Sequence, residues 1–379
     1  MKKRLNILYL IRYIRNEKNR VQYQRAKYLS EKNNLYLFIC KNRTIPNEIK
    51  KNSYVKVSTF NLNKKNYILY LFWYMFEIKK LSKEVDFDIV YTKFDPFSII
   101  QGFILKLLGY RWVVDIWDHP ILMEKTDSTK FSFIHKFFHF ISKKTIKFTD
   151  LAIVAIVPES LRDYGLNQRK ILKITNGVDL NLTKPRNIKN KTGDFTLFYV
   201  GFVKKDRGID TLLHSVKLLK EKIPSIKLIL VGDTNKDDKN YLNNTINKFN
   251  IDKNVEYLGV LDHRKVLDQE EKSDICIFPF PYKEELNCIY PIKIFEYLSM
   301  GKVVISSDLE GVRTIIDNEE NGLLVPPENS NDMANAIFRI YNDDKLRKRI
   351  EKNARNSVKK YNWDKLNDKI DEKLKNLFS

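Results

Sequence analysis

PIKIFEYLSMGKVVIS, residues 291–306, decides the fold. A proline opens a short amphipathic stretch, a glycine at 301 closes it, and an apolar run KVVIS follows. Proline at a helix start and glycine just past its end are the usual boundary choices, so a helix over 292–300 leading into a buried strand is expected. Lys293 and Glu296 are three apart and share one side of the first turns. The helix start offers backbone N–H groups to an anion, and Lys293 adds charge there. Glu296 is placed to accept two hydrogen bonds from vicinal hydroxyls such as those of a ribose.

The same alternation of helix and apolar run extends in both directions. Toward the N-terminus the chain gives FTLFYVG, a helix from about 208 to 221, KLILVG, another helix, NVEYLG, a short helix and DICIFPF. Toward the C-terminus it gives GLLVP and helical stretches after 329, with Trp363 starting the last. The first half repeats the pattern: LNILYLI, a helix near 20–32, LYLFIC, a helix near 65–83, DIVYT, a helix near 96–108, RWVVDI, a basic helix near 130–147, DLAIVAIV and KILKIT. Short apolar runs separated by amphipathic helices are what a parallel sheet covered by helices requires. The expected architecture is α/β, two Rossmann-like domains facing across a cleft, with ligands at the carboxyl ends of the strands. The expected bounds are 1–181 for the first domain, 182–194 for a polar linker (LTKPRNIKNKTGD) and 195–360 for the second, with a tail at 361–379 returning to the first.

A chain of 379 residues with 43% hydrophobic and 30% charged residues suits two globular domains and excludes collagen-like, disordered and low-complexity classes. Cys40, Cys276 and Cys288 are isolated, so neither a CxxC motif nor an even disulfide framework is available, and a reducing, cytoplasmic setting is expected. The longest apolar stretch, YILYLFWYMFEI at 67–78, is shorter than the roughly 20 residues that span a bilayer. Residues 1–190 carry 36 Lys+Arg against 16 Asp+Glu, whereas residues 191–379 carry 32 against 31. The excess charge therefore belongs to the first half. Together with the aromatic stretch at 67–78 and FSFIHKFFHFISKKTIKF at 131–148, it suggests a face for an anionic membrane surface. Asp86 and Asp88 spell DFD, the form of a DxD metal motif, but they immediately precede a buried strand in a different type of fold, and His135 and His139 lie four apart with no third ligand of type Cys or Asp nearby. No metal and no cofactor is expected.

The 291–306 segment closely resembles the nucleotide-binding helix of GT-B glycosyltransferases, especially the retaining enzymes of family 4 (group 1). The second half continues the resemblance in YVGFVKKDRGIDTLL (199–213), LILVGD (228–233), NVEYLGVL (254–261) and DICIFPF (274–280). TNGVDL at 175–180 resembles the family's crossover between domains, and Asn362–Trp363 its returning helix. Two positions depart from the pattern: the family's Gly-Arg is Gly201-Phe202, and its first acidic residue, which contacts the donor sugar, falls on Cys288. Arg207 takes the place of the family's Lys. The resemblance implies a glycosyltransferase that moves a sugar from a nucleotide-diphosphate sugar to an acceptor hydroxyl, metal-independent and retaining. The acceptor implied is a saccharide or lipid-linked saccharide in cell-surface polysaccharide synthesis. The implied donor site comprises Gly201, Lys205, Arg207, Gly259, Tyr290, Pro291, Ile292, Lys293 and Glu296. VVDIWDHP at 113–120 resembles the segment that relatives set beside the reacting sugar, which makes Asp118 and His119 catalytic and acceptor-binding alongside Glu296. Arg20 and Arg25, opening the first helix, are expected to meet the acceptor. The nucleotide-sugar is a co-substrate. A sugar-nucleotide epimerase of the same fold is the alternative reading, and a nucleic-acid-binding protein, suggested by charge alone, a weaker one.

Overall fold

A computed structural model describes residues 4–11, 14, 20–39, 45–57, 67–119, 132–185 and 193–378, without the side chains of 67–71 and 132–136. Its contacts divide the chain into two compact units, one running to Asn176 and resuming at Trp363, the other Gly177–Asn362. The boundary expected at 181–195 thus falls earlier. Thr183, placed in the linker by sequence, is fully buried in the second unit, where its hydroxyl meets that of Ser299 at 2.6 Å. Residues 186–192 lie outside the described residues.

The first unit holds seven strands: β1 (Asn6–Leu10), β2 (Asn34–Ile39), β3 (Ser53–Val57), β4 (Ile89–Lys93), β5 (Arg111–Ile116), β6 (Leu151–Val154) and β7 (Ile171–Lys173). All are parallel, in the order β3-β2-β1-β4-β5-β6-β7. The second unit holds β8 (Phe195–Val200), β9 (Ile226–Val231), β10 (Val255–Tyr257), β11 (Ile275–Phe278), β12 (Val303–Ser307) and β13 (Leu323–Val325), ordered β10-β9-β8-β11-β12-β13 and again parallel. Both sheets have the doubly wound order in which the chain's progress reverses beside the first strand, the place where such folds bind ligands. The strands read as nearly unbroken apolar runs because helices cover both faces and most residues of a central strand are buried.

Ser53–Val57 escapes the sequence reading. SYVKV is an edge strand with no buried residue, three of its positions being partly buried and two exposed, so it lacks the apolar run of the inner strands. The helix Pro96–Leu107, by contrast, starts where the sequence says. Asp95 caps it by accepting from the backbone N–H groups of Phe97 and Ser98, both at 3.2 Å, and Pro96 follows the cap. The last helix, Trp363–Lys375, lays Trp363, Leu366, Ile370 and Leu374 into the core of the first unit against Tyr9, Tyr23 and Leu29. The Val178–Asn362 bridge pairs the chain just after it leaves the first unit with the chain just before it returns.

Candidate active site

In the second unit, the segment after β8 and the segment after β11 meet at the switch point of the sheet. The short turn of helix Lys205–Arg207 ends at Gly208, whose φ of +82° is left-handed. A Cβ there would stand 1.8 Å from the Pro279 carbonyl oxygen, so only glycine lets these two segments approach so closely. The Arg207 guanidinium lies over the Phe280 ring, 5.1 Å from its centroid, a contact that adds cation–π attraction and fixes the charge at this point. Lys205 lies over Tyr241 and Lys204 over Phe202. Phe202 is exposed, so position 202 presents a ring to solvent. Gly201 directly follows β8, and Gly259 follows β10 with its carbonyl accepting from Gly232 N–H at 2.8 Å.

The Ile292–Ser299 helix approaches from the other side. Pro291 occupies the capping position rather than the first turn, one residue earlier than expected. Ile294, Phe295, Tyr297 and Leu298 form its buried face. Its opening is held by a second close approach: a Cβ on Gly311 would lie 2.0 Å from the Ile289 carbonyl oxygen. Tyr290 is fully buried directly before it. The first turn exposes N–H groups with no preceding helical turn to take them, and Lys293 stands beside them, part-exposed.

Glu296 is the centre of the arrangement. Its side chain is 3% exposed, with Lys293 Nζ 2.8 Å from Oε2 and His263 Nε2 3.0 Å from Oε1. Burial alone would raise its carboxyl, but the Lys293 ammonium and the His263 hydrogen bond overcome that and hold it well below the usual carboxylate range. The result is a carboxylate kept ionised inside the protein with its two partners reaching solvent. It can accept hydroxyl hydrogen bonds while Lys293, Arg207 and the helix start take negative charge.

His263 is the residue sequence reasoning missed. It lies 33 positions from Glu296, opening the helix His263–Lys272 behind the Asp262 cap. The legible signal was a histidine at a helix start, separated by five residues from a strand of the same sheet. Cys288 is buried, with its thiol toward the Glu285 carbonyl at 3.8 Å.

The first unit distributes its expected residues differently. Asp118 is exposed just beyond β5, and His119 is buried with Nε2 3.3 Å from the Ser160 carbonyl. Pro120 lies outside the described residues. Arg20 precedes the helix Val21–Lys32 and is exposed. Arg25, expected to meet an acceptor, does not reach the surface. It is buried, paired with Asp115 at 2.9 Å and bonded to Asn367 on the last helix. Its charge serves the core, because a helix residue facing the sheet is sealed whatever its type. The DFD motif is likewise structural. Asp88 accepts from the Asn6 backbone N–H at 2.8 Å, and the Asp86 carbonyl accepts from the Asn6 side chain, tying the starts of β1 and β4. Among the described residues no group of three or more His, Cys, Asp or Glu is placed to hold a metal ion. The side chain of His135 is outside the description.

Two parallel, doubly wound units, the second with a cation-lined carboxylate at its switch point, are the fold this chain shares with solved structures of the GT-B type. Residues 182–357, all within the second unit, match the family described as glycosyl transferases group 1. An uncharacterized glycosyltransferase of Methanocaldococcus jannaschii is 28% identical over 315 residues, 78% of this chain and 76% of the relative. The N,N'-diacetylbacillosaminyl-diphospho-undecaprenol alpha-1,3-N-acetylgalactosaminyltransferase of Campylobacter jejuni is 25% identical over 219 residues, 54% of each chain. The chain thus spans about half of the second relative and more of the first. Anabaena HepE, solved in complex with UDP, superposes with a TM-score of 0.75 over 98% of this chain and 99% of its own, at 17% identity.

Proposed function

We propose that this protein transfers a sugar from a nucleoside-diphosphate sugar to a hydroxyl of a lipid-linked saccharide, without a metal ion and with retention of configuration, in cell-surface polysaccharide synthesis. The observation that carries the reading is Glu296, buried, ionised and flanked by Lys293 and His263, in a group 1 glycosyl transferase domain. Its carboxylate accepts the two ribose hydroxyls. Arg207, Lys205, Lys293 and the N–H groups at Ile292 take the diphosphate, whose negative charge grows as the bond to the sugar breaks; fixed donors aimed at developing charge stabilise that step. The anomeric carbon loses its bond to the diphosphate oxygen and gains one to the acceptor oxygen, and the acceptor proton passes to the departing diphosphate. Gly201 and Gly259 let the backbone come close to the nucleotide, and Tyr290 and Pro291 fix the start of the binding helix. Asp118 and His119 orient acceptor and sugar from the first unit, and Arg20 is an acceptor contact at the surface. Arg25 has no part in this.

UDP is the first nucleotide to try, because HepE was solved with UDP and with UDP-glucose. A lipid-diphosphate acceptor is supported by the name of the Campylobacter relative. A peripheral position on the inner face of the cytoplasmic membrane is supported by charge and by exposed apolar side chains on the first unit. Phe72 and Phe76 stand 68% and 67% exposed on the helix Tyr67–Leu81, and Phe137 and Phe140 stand 52% and 59% exposed on the helix Ser132–Thr145, beside Lys143 and Lys144. Aromatic and basic side chains on one layer of helices suit an anionic bilayer surface. Among the described residues no helix is long and apolar enough to cross a membrane.

The test is incubation of the full chain with a panel of nucleotide sugars, with and without a polyprenyl-diphosphate saccharide and in the presence of EDTA. Acceptor-dependent release of one nucleoside diphosphate, unaffected by EDTA, is expected. Release abolished by EDTA and restored by Mn²⁺ or Mg²⁺ overturns the metal-independent mechanism. Conversion of a nucleotide sugar to its epimer without acceptor overturns the transferase.

A further inference from the structure

Glu296 cannot orient its own carboxylate. The last side-chain torsion of a glutamate is broad, so the plane of the two oxygens is set by whatever bonds them. Lys293 Nζ, 2.8 Å from Oε2, supplies charge but little direction, because an ammonium on a flexible stem acts as a point charge with rotatable donors. His263 differs. Its Nε2 stands 3.0 Å from Oε1, and the N–H of a planar ring bonds along one direction. Paired with Lys293, Glu296 is ionised and only accepts, so Nε2 carries the hydrogen and donates it.

A rigid element places the ring. His263 opens the helix His263–Lys272, Asp262 caps that helix by accepting from the Lys265 backbone N–H at 3.0 Å, and Val266 and Leu267 bury its inner face. The His263 side chain is 40% exposed against 3% for Glu296, so the pair runs from a sealed carboxylate to a ring that reaches solvent. What Glu296 can still accept is framed at Oε1 by this ring and at Oε2 by Lys293. A carboxylate held at both oxygens offers its remaining lone pairs in fixed directions, as recognition of two adjacent hydroxyls requires. A carboxylate free to turn about its terminal torsion loses that advantage.

We propose that His263 is a positioning residue of the donor site, which fixes the Glu296 carboxylate for two vicinal hydroxyls and so sets a preference for ribonucleotides over nucleotides that lack those hydroxyls. The inference rests on the reading that Glu296 holds the donor ribose. His263 need touch no ligand for this, since its effect passes through Oε1.

Calorimetric titration of the full chain with UDP and with dideoxy-UDP, which lacks both ribose hydroxyls, tests it at one fixed pH. The readout is the ratio of the two dissociation constants within each protein. Wild type should bind UDP about 100-fold more tightly than dideoxy-UDP, two charge-assisted hydrogen bonds being at stake. His263→Ala should cut that ratio to about tenfold or less, by weakening UDP while dideoxy-UDP changes less than about twofold. His263→Gln, whose amide N–H can take the place of the ring donor, should keep a ratio of at least about 30-fold. Circular dichroism checks each fold, and should His263→Ala not fold, His263→Phe, a ring without the donor, replaces it. Equal ratios in wild type and His263→Ala overturn the role of His263 and leave the nucleotide site standing. So does equal weakening of both ligands, the outcome of a merely structural role. A His263→Gln ratio no better than that of His263→Ala overturns the hydrogen bond as the cause. Wild type that binds UDP and dideoxy-UDP alike overturns the ribose reading of Glu296, and wild type that binds none of UDP, GDP and ADP overturns the nucleotide reading; the inference falls with either.

Discussion

Asp115 in the first unit and Glu296 in the second are both buried carboxylates paired with a cation, yet their partners differ in access. Asp115 is bound by Arg25, itself 1% exposed, and by the Tyr91 hydroxyl at 2.5 Å. Glu296 is bound by Lys293 and His263, whose side chains are 30% and 40% exposed. The same pairing chemistry is sealed in one place and open in the other. An ion pair whose two members are inside can only hold structure, since a ligand has no path to either. A pair whose cation reaches solvent can trade part of its interaction for a ligand's. Charge type alone does not separate a core residue from a binding residue; access does.

Four measurements break or sharpen this contrast. The largest effect is expected at Asp115. Asp115→Asn leaves Arg25 buried without its counter-charge and should cost about 3 to 5 kcal/mol in chemical denaturation, the usual cost of breaking a buried pair from one side. A loss below about 1 kcal/mol would mean that water reaches the pair. Next is Glu296→Gln, which removes charge-assisted hydrogen bonds to the ribose worth about 1.5 to 3 kcal/mol. The UDP dissociation constant should rise about tenfold to a hundredfold, and an unchanged constant removes Glu296 from the site.

Third, Arg207→Ala should lower kcat/KM about tenfold, by loss of one charge-assisted contact to the diphosphate. Lys204→Ala, three residues earlier with its ammonium over Phe202, serves as the control and should change it less. Equal effects place the diphosphate elsewhere. The smallest effect concerns the first unit's surface. Replacing Phe140 by Ser and Lys144 by Glu in the full chain should weaken co-sedimentation with anionic vesicles, the lysine contributing about 1 kcal/mol. Binding that disappears into RNA competition instead would favour the nucleic-acid reading.

The legibility of the sequence followed the range of the interactions. Lys293 and Glu296 could be paired by eye because they are three apart on one helix. The doubly wound order followed from the rhythm of apolar runs, which reports burial on both faces of a strand. Ser53–Val57 lacked that signal, since an edge strand is half solvated. His263 and Arg25 were decided by contacts across 33 and 90 residues, which no local spacing reports. A lone arginine reads as a surface charge until the strand opposite it supplies an aspartate.

The return of the Trp363–Lys375 helix to the first unit has a consequence for synthesis. On a ribosome adding about 5 to 20 residues per second, the roughly 200 residues after Asn176 take about 10 to 40 seconds to appear. Throughout that interval the first unit lacks Trp363, Leu366, Ile370 and Leu374, and Arg25 lacks its bond to Asn367. The second unit, contiguous in the chain, is complete first. The half made first is thus finished last, and a nascent chain shows chaperones an open apolar socket that its own final helix is made to fill.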